Sequence, residues 1–130
     1  MKTALVCIAL LALLIFALGL AVSLTRGSTK RSIGYSEDPA DRLHKLCRAH
    51  ANAAEYAPIL GLLMLVLAMR VEQAVWVLWT MIFATVFRYT HAVGMIFMPT
   101  LARPNPLRFT GALGTYVCGI VLAGALLVTA

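Results

Sequence analysis

Five polar side chains inside otherwise apolar segments have the types and spacing needed for chemistry. Arg48, Asn52 and Glu55 follow one another at intervals of four and three residues, so they share one face of a helix. Arg88 and His91 are three residues apart and also share a helix face. Ionisable groups at membrane depth are costly unless they face a partner or a wet cavity, so these residues indicate a site.

Further arginines lie at the ends of the neighbouring apolar segments. Arg26 ends the first segment and Arg108 opens the last, so all four segments bring polar groups to one depth on one side. The excess of arginine, in which we include Arg26, favours a small anion with several carboxylates, because guanidinium binds carboxylate in a forked geometry. Glu55 and Asn52 would receive a ligand's ammonium or amide groups. The amino end of the last helix adds an anion site.

A purely structural interpretation of the same side chains is also open. In that interpretation Glu55 pairs with Arg88 to hold the helices together, and Arg48 extends to the lipid headgroups. The periodicity alone does not separate it from a binding site.

The composition identifies the solvent of this chain as lipid. Of its 130 residues 62% are hydrophobic and only 12% charged, and the mean hydropathy is +0.89, too apolar for a water-soluble domain. The net charge of +6 comes from residues beside the apolar runs, which favours lipid headgroups as partners and not nucleic acid. Cys7, Cys47 and Cys118 have no metal-ligand spacing, so we expect no metal site.

The hydrophobic runs predict an all-α fold that forms a single membrane domain over 1–130. Four spanning helices are expected, at about 3–25, 39–69, 74–98 and 106–128. Asp38-Pro39 and Asn105-Pro106 each combine a cap with a proline, which is typical of helix starts. Pro58 should kink the second helix. A short polar turn is expected at 70–73.

The distribution of basic residues predicts the topology. Eight lie in or beside the first and third loops, against Lys2 and Arg70 on the opposite side. Basic loops stay in the cytoplasm, so both chain ends are expected on the non-cytoplasmic side.

Three motifs resemble those of the MAPEG family, the membrane-associated proteins of eicosanoid and glutathione metabolism. Residues 48–58 read RAHANAAEYAP, which is similar to that family's pattern R-A-H-x-N-x-x-E followed by proline. Residues 88–91, RYTH, resemble its R-x-x-H motif, and 103–108, RPNPLR, resemble the loop before its last helix. The resemblance covers essentially the whole chain.

The resemblance implies a homotrimer of four-helix subunits that binds glutathione between adjacent subunits. The positions that match its glutathione contacts are Arg48, Asn52, Glu55, Arg88 and His91. Arg108 would lie nearest the thiol and stabilise the thiolate, which attacks an electrophile or a hydroperoxide supplied from the lipid.

Departures from the family pattern narrow this expectation. Met95 and Ala112 stand where the prostaglandin-synthase branch has tyrosines, and Phe109 replaces a serine. These changes argue against prostaglandin or leukotriene synthesis and favour the bacterial-type branch, in a bacterial inner membrane. The expected activity is a glutathione-dependent transferase or peroxidase acting on lipophilic small molecules. The alternatives are a non-catalytic member that binds a lipid or a partner, and a small proton-coupled transporter using Glu55.

Overall fold

The structure, a computed structural model, describes residues 1–70 and 74–129. These residues form four helices and no strand: α1 (Lys2–Thr29), α2 (Arg42–Ala68), α3 (Val75–Ile96) and α4 (Pro106–Val128). The predicted all-α class is thereby confirmed. Apart from Arg70, the turn predicted at 70–73 lies outside the described residues.

Helix α1 continues past Arg26, where the apolar run ends and the predicted helix stopped. In the last turns of the helix, the Ser28 and Thr29 hydroxyls donate to the Thr25 carbonyl at 3.0 and 2.7 Å, so this backbone carbonyl has hydrogen-bond donors. Lys30, with φ of 53°, ends the helix in the left-handed conformation. The 28 residues extend about 42 Å, so the polar last turn projects beyond a hydrocarbon core of about 30 Å.

Helix α2 begins three residues later than the sequence indicated. We expected Asp38 to cap it, but that carboxylate accepts the Ala40 N–H at 2.9 Å in a separate turn. The cap is Asp41, which accepts the His44 N–H at 2.9 Å. This hydrogen bond, with help from Arg31 at 3.3 Å, keeps the pKa of the Asp41 carboxyl below its usual value. Both aspartates are good helix caps, so only the fold decides between them.

The loop between α3 and α4 is bounded by prolines. Helix α3 ends at Ile96, slightly before the predicted 98, because Met98 precedes Pro99 and that position disfavours helical backbone. Helix α4 starts where the sequence indicated, with Pro106 in its first turn. The Asn105 side chain caps it by accepting the Leu107 N–H at 2.8 Å.

Helices α1, α2 and α4 are long and apolar enough to cross a membrane. We expected four spans, and α3 falls short by composition because Arg88 and His91 interrupt its apolar sequence. Its 22 residues still extend about 33 Å, which matches the hydrocarbon thickness. Outward-facing Phe16, Phe109 and Ile120 are each more than two-thirds exposed, as expected of a surface solvated by lipid.

The helices pack mainly as two pairs, α1 with α2 and α3 with α4, and α2 and α3 meet between them. Within the described residues the backbones of α1 and α4 stay apart. The main core takes Leu11, Met64, Met81 and Leu122 from the four helices, each at most 2% exposed. A second cluster nearer the basic loops joins residues of α1, α2 and α3: Leu14, Leu18, Ala49, Ala53, Ala92 and Met95.

Glycines allow the close approach of α3 and α4. A Cβ atom on Gly111 would lie 2.5–2.7 Å from His91 atoms. We expect Gly111→Ala to lower the free energy of unfolding by about 1–3 kcal/mol, because overpacking forces the helices apart. Gly124→Ala is the matched control, since nothing lies within 4 Å of a Cβ there. Thermal unfolding in detergent measures both, and equal stability of the two variants would contradict this contact.

The first and third loops pack together at one end of the bundle. The Leu101 N–H donates to the Pro39 carbonyl at 2.9 Å, and the Lys45 ammonium donates to the Met98 carbonyl at 3.0 Å. The basic residues that flank these loops therefore collect at the same end. The orientation of that end towards the cytoplasm stays a prediction.

Candidate functional site

Two of the three polar residues predicted to share a face of α2, Arg48 and Glu55, lie on the side of that helix that turns away from its own subunit, whereas Asn52 contacts α3. Ala49, Ala53 and Ala57 on the opposite face are at most 2% exposed, and their small side chains let the neighbouring helices pack closely. Arg48 and Glu55 are exposed. Neither side chain makes a hydrogen bond or ion pair within the described residues. Two side chains of opposite sign thus lie exposed on the outer face of α2.

Arg88 is the most deeply placed charge, only 1% exposed. Its Nη2 donates to the side-chain oxygen of Asn52 at 2.6 Å and to the Asn52 carbonyl at 3.3 Å. Its guanidinium carbon lies 5.1 Å from the centre of the Tyr56 ring, a cation–π arrangement. Its Nε is buried and has no hydrogen-bond partner among the residues that the structure describes. All of these partners are neutral.

This geometry bears on the structural interpretation of the sequence. That interpretation paired Arg88 with Glu55, but among the described residues the ion pair is Arg31–Asp41. Asn52 takes the place of the carboxylate because it lies one turn earlier on α2, opposite Arg88. Glu55 lies on the outer face of α2.

Arg108 is held from both ends at the start of α4. His91 Nδ1 donates to the Arg108 carbonyl at 3.0 Å, which fixes the imidazole against the α4 backbone. Arg108 Nη1 donates to the Leu101 carbonyl at 2.9 Å. Its Nε is buried and unpartnered, so the Nε–Nη2 edge makes no hydrogen bond within the described residues. That edge is one of the forked faces with which guanidinium binds anions.

A cleft of about 390 Å³ opens beside this arginine. It is lined by the third loop and the first turns of α4, with His91, Arg103 and Arg108 as its charged or titratable members. Arg103 and Arg108 line it, and none of the described lining residues is acidic, so the cleft favours an anion.

Arg26 has a different environment. Its Nη1 donates to the carbonyls of Arg31, Ser32 and Gly34 at 2.9–3.3 Å, and its Nη2 lies 3.8 Å from Cys47 Sγ. The side chain folds the first loop back onto α1. Within one subunit it occupies neither the Asn52–Arg88 pair nor the Arg108 cleft.

One subunit therefore brings the predicted site residues together as two pairs and leaves the remaining three apart. Asn52 contacts Arg88, and His91 contacts Arg108, whereas Arg48, Glu55 and Arg26 join neither pair. Tyr56 had no predicted role, and its hydroxyl lies 3.4 Å from that of Tyr116. The feature of the sequence that indicates Tyr56 is its place four residues after Asn52, one helical turn away on the same side of α2.

A helical bundle with exposed apolar faces and three helices long and apolar enough to cross a bilayer has the features of a polytopic membrane protein. A family model described as the MAPEG family matches residues 4–128, nearly the whole chain. The chain belongs to this family, which includes glutathione transferases and peroxidases as well as non-catalytic members. No match was found among the curated proteins or among the solved structures.

Proposed function

We propose that this protein binds glutathione between the subunits of a homotrimer and activates its thiol against lipophilic electrophiles or hydroperoxides from the bilayer. The observation that carries the proposal is that three arginine side chains have no acidic side chain paired with them among the described residues. Within the part of the chain that the structure describes, Arg88 and Arg108 each keep a buried Nε without a hydrogen-bond partner, and exposed Arg48 has no ion pair.

The outer face of α2 supports a site shared between subunits. Exposing Arg48 and Glu55 to hydrocarbon is expensive, whereas facing another subunit and a polar ligand removes that cost. The two pairs within one subunit, Asn52–Arg88 and His91–Arg108, are also too few to enclose a tripeptide. A second subunit supplies the missing wall.

The charges fit glutathione in number and sign. Glutathione has two carboxylates and one ammonium group at neutral pH. Exposed Arg48 provides a cation for a carboxylate, and exposed Glu55 provides the anion for the ammonium. Arg88, which is 1% exposed, adds its positive charge from below the surface, next to Asn52. Asn52 already engages Arg88 with its oxygen, so we assign it to holding that guanidinium in place, with its amide nitrogen available to the ligand.

The chemistry is assigned to Arg108. Bound glutathione would lose its thiol proton to water and supply a thiolate. Attack on an electrophilic carbon would form the C–S bond as the bond to the leaving group breaks. Attack on the terminal oxygen of a hydroperoxide would break the O–O bond to give the alcohol and glutathione sulfenic acid, which a second glutathione would convert to the disulfide and water. Arg108 lines a partly buried cleft, where a positive charge stabilises an anion more than it does in water. Apolar Phe109 and Ala112 lie in the same cleft and suit a lipophilic second substrate.

Calorimetry on the purified trimer tests the proposal directly. Glutathione and S-methylglutathione should both bind, because they share the carboxylates and the ammonium. Cysteinylglycine, which lacks the glutamyl residue, should bind at least about tenfold more weakly, since it loses a carboxylate contact worth about 1.5–3 kcal/mol. Absence of glutathione binding, or equal binding of cysteinylglycine, would refute the site.

A further inference from the structure

Lys45 ties the third loop to α2. Its ammonium, on the first turns of α2, donates to the Met98 carbonyl at 3.0 Å, just beyond the end of α3. A cation at this end of a helix is stabilised by the unpaired carbonyls and the helix dipole. The contact is partly buried and joins residues far apart in sequence.

The same loop holds the guanidinium of Arg108. The Leu101 N–H donates to the Pro39 carbonyl, and the Leu101 carbonyl accepts from Arg108 Nη1, each at 2.9 Å. His91 fixes the Arg108 backbone, so the direction of its guanidinium depends on where Leu101 lies. Lys45 and Pro39 together hold that part of the loop against the start of α2.

We infer that Lys45 is a positioning residue for Arg108, and this inference rests on the thiolate-stabilising role proposed for Arg108. Without the ammonium, the Met98 end of the loop loses its tether and the Leu101 carbonyl becomes less well placed. The guanidinium then spends less time with its Nε–Nη2 edge directed at the anion. Small misplacements of this kind reduce rate more than they reduce binding.

The test compares three variants by glutathione calorimetry, by the ultraviolet absorbance of bound thiolate at fixed pH, and by turnover of a chlorodinitrobenzene electrophile. Lys45→Gln should lower kcat and the thiolate fraction by about threefold to tenfold, while the Kd for glutathione changes less than about twofold. Lys45→Arg keeps a cationic donor and should recover most of the loss. Arg42→Gln is the matched control, because Arg42 is an exposed cation at the same end of α2.

The outcomes separate this inference from the function on which it rests. If the wild-type protein binds no glutathione, the proposed function fails and this inference fails with it. If the wild-type protein forms the thiolate while Lys45→Gln keeps the wild-type kcat and thiolate fraction, the positioning role of Lys45 is wrong and the proposed function stands. The same conclusion follows if Arg42→Gln loses as much of both as Lys45→Gln does. Lys45→Met, which keeps the apolar stem, replaces Lys45→Gln if that variant loses helix content by circular dichroism.

Discussion

Replacing Arg48 by alanine is expected to weaken glutathione binding by roughly 10- to 150-fold, because one charge-assisted contact worth about 1.5–3 kcal/mol is lost. The protein should stay as stable as before, since this exposed side chain makes no hydrogen bond or ion pair within the described residues. Calorimetry with glutathione and thermal unfolding of the same sample measure the two effects separately.

Two further variants sharpen that experiment. Arg42→Ala removes an exposed arginine from the same helix and should leave affinity unchanged, so it controls for the loss of charge alone. Glu55→Gln should weaken binding because the ligand's ammonium loses its counter-charge. Unchanged binding in a stable Arg48→Ala variant would contradict the site and return Arg48 to the role of a headgroup contact.

Much of the fold could be predicted because lipid-spanning helices leave a strong signal in sequence. The start of α4 at Asn105-Pro106 was readable because both residues favour the same position. The start of α2 was not, because Asp38 and Asp41 are equally good caps, and the choice depends on contacts with Arg31 and the third loop. The capping preference of a residue therefore locates a helix start only where neighbouring candidate residues differ in that preference.

The candidate site shows the same limit more clearly. Helical spacing placed Arg48, Asn52 and Glu55 on one face of α2, and the outward position of Arg48 and Glu55 agrees with that. Spacing within a helix carries no information on which residue of α2 meets Arg88 of α3. The choice of Asn52 as its partner depends on the register between two helices, which only the packed structure shows.

Replacing Arg108 by alanine should have the larger effect on catalysis and the smaller one on binding. We expect kcat to fall by about 10²- to 10³-fold, the size typical of losing one group that stabilises a developing anion, while the Kd for glutathione changes less than about threefold. The carboxylates and ammonium of glutathione account for the affinity, and none of them is assigned to Arg108. Single-turnover kinetics and calorimetry together measure this separation.

The fold should survive that substitution. His91 donates to the Arg108 backbone carbonyl, which alanine retains, and only the hydrogen bond to the Leu101 carbonyl is lost, at about 1 kcal/mol. Arg103→Ala is the matched control, because Arg103 lines the same cleft and has no role in the proposed chemistry. A fall in affinity equal to the fall in kcat/KM, with kcat unchanged, would show that Arg108 binds a carboxylate of the ligand. The assignment of thiolate stabilisation to this residue would then be wrong.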